Sequence, residues 1–216
     1  MSKSVTLYTL EELSNRPNKR AFEKAVEELE MEDCWYEQVT EEWEEFLAQI
    51  GFEKPEVMFG SLHTQGSGAC FTSKRINFEK LINFKRTDDN YLIKRFTEDT
   101  LLDSKFAVLA EETYLDFMSG KVVHNDRYYH EGSCDIEAEE LFYQLDHSQE
   151  ELKHLEKLFQ ELIKDIEEIR RKICLEIFKD LLETYNEMNT AEYILQRESE
   201  SDCPLFFTEK GNLWVG

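Results

Sequence analysis

The sequence is short of cations. It sets 25 Lys and Arg against 47 Asp and Glu, for a formal net charge of −22 over 216 residues. Such a surface is repelled by nucleic-acid backbones and anionic membranes, both of which select cationic patches. Long apolar runs are missing too. None reaches the roughly 18 residues a membrane helix needs, and the start Met1–Leu7 has no apolar core of signal-peptide length. The expectation is a soluble, cytoplasmic protein. Glycine (8) and proline (3) are scarce, whereas aromatic residues make up 12%. That balance argues against a disordered acidic chain. The five cysteines (34, 70, 134, 174, 203) are odd in number, widely spread and without a C-x-x-C pair. Neither a zinc ribbon nor a thioredoxin motif is supported, and reduced thiols are the expectation. H-E-x-x-H and the EF-hand loop are absent, so no metal and no cofactor is expected. The five histidines do not converge in sequence. No catalytic assignment has support, and the chain reads as non-enzymatic.

What is present begins with charge in blocks. The balance is −8 over residues 1–50, +1 over 51–100, −9 over 101–150 and −6 over 151–216. A length of 216 residues suits one domain with a sizeable core.

Thr9-Leu10-Glu11-Glu12 is a capping-box pattern and opens a helix after a β-like start at Val5–Tyr8. A second helix follows Pro17, with Phe22, Val26 and Leu29 inward. A third runs from about Asp33 to Ile50 and places Trp35, Val39, Trp43, Phe46, Leu47 and Ile50 on one side. Gly51 ends it as a left-handed cap. The runs 56–62 and 69–72 predict strands joined by a Gly-containing hairpin connection. The stretch 77–100 reads as helical or irregular. Further strands are predicted at Lys105–Ala110, from Lys121 through Tyr129, and at Cys134–Glu139. Residues 148–189 carry apolar positions every three or four residues with no Gly or Pro, predicting a helix of about 60 Å at 1.5 Å per residue. That length predicts a break, a projection or pairing with a second copy, and a break near Lys164–Arg171 is one of these options. A short helix follows from Thr190, then a hairpin turning at Lys210-Gly211-Asn212.

Three groups of residues are candidates for function. Gln65-Gly66-Ser67-Gly68-Ala69 is a glycine loop, but it matches neither the P-loop nor the Rossmann fingerprint. A tight turn with close packing is its plain reading, and a ligand or partner contact the alternative. Tyr128-Tyr129-His130-Glu131 gathers two aromatics, an imidazole and a carboxylate. On a strand, Tyr128 and His130 face one side and Tyr129 the other. The third group is the acidic surface: Glu37, Glu41, Glu44 and Glu45 on the third helix, with Glu131, Asp135, Glu137 and Glu139 along one strand region. Carboxylates at such density could attract the basic cleft of a nucleic-acid-acting protein, or serve solubility alone.

Several stretches together resemble a family of small phage and prophage proteins labelled antitoxin-like. The family's segment "F-S-G-F, x-S-Q-G-D-G-A-S-F" reads here as the run from Met58 to Phe71. Gln65, Gly66, Gly68, Ala69 and Phe71 match, while Ser67 stands for the usual Asp and Thr64 for the usual Ser. Its "Y-Y-H-E" element appears as Tyr128-Tyr129-His130-Glu131. Its opening "Y-x-x-x-E-L-S" appears as Tyr8-Thr9-Leu10-Glu11-Glu12-Leu13-Ser14. Its acidic-aromatic tail is similar to Leu182–Asn186 through Phe207–Gly211. The resemblance implies a phage-encoded, non-enzymatic protein acting in the host cytoplasm.

The sequence therefore predicts an α+β fold. It has N-terminal helices, a central antiparallel sheet of four or five strands, and a long C-terminal helix or helical hairpin. A core over residues 1–147 is followed by a C-terminal helical region over 148–216. The leading functional expectation is an acidic inhibitor of a host or defence protein that acts on nucleic acid: a CRISPR effector, a restriction enzyme or a toxin. The alternatives are a small-ligand or nucleotide binder using Gln65–Phe71 with Tyr128–His130, and an assembly protein that dimerises through residues 148–189.

Overall fold

A computed structural model of the chain describes residues 6–17, 19–29, 35–63, 66–85 and 102–214. In chain order the elements are β1 (Leu7–Tyr8), α1 (Leu10–Ser14), α2 (Lys19–Glu27), α3 (Glu37–Ile50), β2 (Phe52–Phe59), β3 (Ala69–Ile76), α4 (Phe78–Ile82), α5 (Glu112–Leu115), β4 (Met118–His124), β5 (Cys134–Glu140), α6 (Gln149–Met188), α7 (Ala191–Glu200) and β6 (Phe207–Thr208). The fold is α+β, with a four-stranded antiparallel sheet ordered β2-β3-β4-β5. The chain divides into two units, residues 37–181 and residues 1–36 with 182–216.

In the larger unit, α3 ends at Gly51, whose φ of +119° suits glycine alone. A Cβ there would also sit 2.7 Å from the Asn77 carbonyl oxygen. The β2–β3 hairpin follows in register from Phe52↔Ile76 to Phe59↔Ala69. Near its turn the Gly60 N–H donates to the Gly68 carbonyl at 3.1 Å, and Gly66 takes a φ of +89°. The long helix α6 is unbroken, including across Lys164–Arg171. Its buried stripe runs through Leu155, Phe159, Leu162, Ile166, Ile169, Ile173, Ile177 and Leu181. Phe159 meets Phe78 and Phe142 edge-on. The buried Trp43 indole donates to Asp180 at 2.9 Å, satisfying a carboxylate that sits on the same stripe. The stripe from Leu155 to Leu181 is thus buried within the chain, along a helix that runs without a break.

Two expected strands are corrected. Lys105–Ala110 lies in a 3-10 helix, Ser104–Ala110, opened by the Asp103 carboxylate accepting from the Lys105 N–H at 2.9 Å. Phe106 and Leu109, three apart, are buried while Ala107 is exposed, a spacing that fits three residues per turn rather than strand alternation. The strand begun at Lys121 starts earlier, at Met118, and stops at His124, so Tyr128–His130 lie in a loop without strand alternation. Just beyond it the Asp126 carboxylate accepts from the Arg127 N–H at 2.6 Å, an Asx-type contact that fits the turn there.

The smaller unit closes around Leu10, Leu13, Ala21, Ala25, Ile194 and Phe207, with Phe22, Val26 and Leu29 packed against them half-buried. β1 pairs antiparallel with β6 through Tyr8↔Phe207. The expected turn at Gly211 is present, with φ +83° and no room for a side chain beside the Ala21 carbonyl. The capping box forms in full: Thr9 Oγ1 accepts from the Glu12 N–H at 3.2 Å, and Glu12 accepts from the Thr9 N–H at 2.9 Å. Thr9→Ala should therefore cost about 1 kcal/mol in urea unfolding, and an unchanged midpoint would show that this box does not hold α1.

Candidate functional site

The two sequence motifs, some sixty residues apart, meet in the larger unit. The loop 125–133 between β4 and β5 is closed by the Asn125 N–H donating to the Ser133 carbonyl at 2.9 Å. Within it, His130 N–H donates to Ser133 Oγ at 3.1 Å, and Gly132 N–H to His130 Nδ1 at 3.0 Å. His124 bonds the Tyr128 carbonyl through Nε2 at 2.9 Å and stacks on Tyr129, with ring centres 5.1 Å apart. Arg127 lies 4.7 Å over the Tyr128 ring and donates to its hydroxyl at 2.6 Å.

This loop folds over the glycine turn. A Cβ on Gly68 would stand 2.7 Å from His130 Cα, and one on Gly66 would stand 3.4 Å from the Tyr128 ring. Gly68 is glycine because the His130 main chain occupies the space of its side chain. Ala69 and Phe71 of the same motif are buried in β3, at 1% and 0% exposure, and act as core. Gln65 lies outside the described residues. The space beside Gly68 is therefore filled by the chain itself, and the side chains of Arg127, Tyr128 and Tyr129 are among those the loop exposes to solvent.

Beneath the loop lies a group that no motif announces. Arg170 is fully buried on α6. Its Nη2 donates to the Glu131 carbonyl at 2.9 Å, anchoring the loop. Nε and Nη2 fork onto the Glu167 carboxylate at 2.8 and 2.6 Å, and Nη1 approaches Cys174 Sγ at 3.7 Å. Two further buried thiols adjoin it. Cys70 donates to Cys134, which together with burial holds the Cys70 thiol far above its ordinary range. Accepting that bond, with Arg170 nearby, draws Cys134 down. Burial pushes Cys174 up to about 12. Among the described residues no group of three His, Cys, Asp or Glu is arranged to hold a metal ion. The one signal in sequence was a cation on an apolar stripe: Arg170 is one helical turn beyond Ile166 and one before Cys174.

The acidic candidates separate into two sets, on α3 beside one edge strand of the sheet and around β5 at the other. On α3, Glu37, Glu41 and Glu45 are exposed at one-turn spacing. Glu44 is corrected: it is half-buried and its carboxylate accepts from the Val57 N–H at 2.9 Å, capping the β2 edge. Glu131 lies in the loop before β5 rather than on the strand; Arg170 engages its backbone carbonyl, and the residue is half-buried. On β5, Asp135, Glu137 and Glu139 alternate outward. Asp135 accepts from Asn125 at 2.8 Å and Glu137 pairs with Lys121 at 2.7 Å. With Lys74, Arg75 and Lys121, Glu137 and Glu139 border an open depression of about 370 Å3.

With this geometry in place, comparison assigns a family. The chain belongs to the family described as a domain of unknown function, DUF8835, which matches residues 35–191. That span holds the sheet, the loop junction, Arg170 and both acidic sets. No curated protein and no solved structure matches the chain. No helix among the described residues is long and apolar enough to cross a membrane.

Proposed function

We propose that the chain is a non-enzymatic binding protein. In this reading it is phage-encoded and inhibits a host or defence protein that acts on nucleic acid, presenting carboxylates to that protein's basic surface. The observation that carries the reading is the row Glu37, Glu41 and Glu45, exposed on a helix whose other face is buried through Trp43, Phe46, Leu47 and Ile50. A rigid helix that shows charge at fixed spacing orients a cationic partner as well as attracting it.

Magnitude limits the form of the attraction. One carboxylate every four residues is one per about 6 Å of helix axis, against one charge per about 1.7 Å of duplex axis. The row is thus an acidic docking helix at roughly a quarter of duplex density, rather than a full imitation of DNA. The loop junction supports a scaffold role in this reading, because its space is taken by His130.

Capture from host lysate at about 0.1 M and about 1 M salt tests the proposal, since the Debye length falls from about 10 to about 3 Å between them. Basic nucleic-acid-binding proteins should be retained at low salt by the wild type. They should be lost at high salt, and lost by the variant E37K/E41K/E45K. Retention indifferent to both changes overturns the reading.

A further inference from the structure

We propose that the outer edge of β5 takes up an extended, basic segment of a partner protein as an added strand. This rests on the reading of the chain as a carboxylate-presenting binder, and it specifies the form the partner takes at this strand.

Hydrogen-bond parity identifies the free groups. Antiparallel pairs alternate between bonded and non-bonded. The β4–β5 register pairs Met118 with Glu140 through His124 with Cys134. Flanking that ladder, Asn125 N–H bonds Ser133 and Leu141 N–H bonds Phe117. Counting inward from either end, the bonded positions of β5 are 135, 137 and 139. The N–H and C=O groups of Ile136 and Ala138 therefore point away from β4. No described residue bonds them, and β5 ends the sheet order. The opposite edge is closed differently, by Glu44 on the Val57 N–H.

A row of unpaired main-chain groups is a template for another strand. Side-chain chemistry then selects the occupant. Residues of an incoming strand opposite Asp135, Glu137 and Glu139 form the close, non-bonded pairs, on the exposed face. Lys or Arg suits all three. Residues opposite Ile136 and Ala138 fall on the half-buried face, where apolar side chains extend the core. The fitting segment alternates cation and aliphatic. A second copy of this chain is the wrong occupant, since antiparallel β5–β5 pairing sets the two acidic rows against each other. Lys121 on Glu137 does not block the site: both side chains are about half exposed, at 51% and 54%, and such a pair exchanges readily.

The test uses a labelled, end-blocked heptapeptide, Val-Lys-Val-Lys-Val-Lys-Val, the length of β5's seven residues, titrated against the full chain by fluorescence anisotropy. It should bind about tenfold more tightly than a peptide of the same composition with its three Lys in a block. N-methylation of the Val amides, which face β5, should abolish that advantage, whereas N-methylation of the Lys amides should spare it. Ala138→Pro should remove it as well, because that N–H is not part of the β4 ladder. Should A138P fail to fold, the pair of methylated peptides makes the same cut from the ligand side. Equal binding of the alternating and block peptides overturns strand addition but leaves the carboxylate reading standing. Absence of binding by either peptide likewise overturns strand addition, while the carboxylate reading is judged by the salt and E37K/E41K/E45K comparison on α3. Self-association of the chain through β5 in sedimentation, lost in A138P, also overturns the proposal.

Discussion

Arg170→Ala should lower folding stability by about 3–5 kcal/mol, the range for removing one partner of a buried ion pair. The lower half of that range is expected, because the partner is not left alone. Glu167 is partly exposed and keeps Arg171 on the same oxygen at 2.9 Å. What is stranded is the Glu131 carbonyl, which loses its donor at 2.9 Å, together with the space of a fully buried long side chain. Arg170→Met separates the two contributions. It fills most of the space and forfeits the bonds, so it should cost about 1–3 kcal/mol, the cost of an unsatisfied buried polar group. Urea unfolding measures both. The ordering alanine worse than methionine worse than wild type is the expected result. If alanine and wild type unfold at the same midpoint, Arg170 does not hold the loop. Because its target is a main-chain carbonyl, the loop itself should also loosen. Amide exchange in residues 126–133 should quicken in R170M while the β2–β3 hairpin stays protected.

Gly68→Ala should cost about 1–3 kcal/mol, the range for overpacking a filled interior. The added methyl would meet His130 Cα and Cβ at 2.7 Å and the Tyr129 carbonyl oxygen at 2.9 Å. Two of these three atoms are main chain, and the third is the first atom of a side chain, so rotamer change cannot relieve the clash. The loop must move, and with it the Glu131 carbonyl that Arg170 holds. Gly60→Ala is the control in the same hairpin, since its Cβ would meet only the Gly66 carbonyl at 3.9 Å. It should be neutral or slightly stabilising, by up to about 1 kcal/mol, through the entropy of the unfolded chain. The comparison is made at equal temperature by urea midpoint, with the His130 ring resonances reporting loop position. G68A and G60A of equal stability would show that the two motifs are not packed together.

Elements written in local pattern were legible. The three- and four-residue recurrence along α6 carries its own helical period, so its extent followed without knowledge of the sheet. The capping box at Thr9 and the positive-φ ends at Gly51 and Gly211 are likewise local. Each is settled by the bonds or dihedrals of residues a few positions apart. The run Lys105–Ala110 was not legible, because a short apolar run fits a strand or a helical turn equally. The choice fell to the core, which took Phe106 and Leu109 together.

The acidic surface divides along the same line. That carboxylates cluster around 37–45 and 131–140 is a property of composition, and the sequence alone determined it, along with the α+β class and the separation of acidic from near-neutral segments. Which of those carboxylates face solvent was decided by the fold, since Glu44 turns to the Val57 N–H while Glu37, Glu41 and Glu45 stay exposed. The meeting of Gly68 with His130, the burial of Arg170 beneath them and the place of β5 at the end of the sheet among the described strands belong to tertiary structure alone. Each depends on residues far apart in the chain being brought within a few ångströms. Local propensity carries no information about such approaches; sheet order and the packing of α6 supply it.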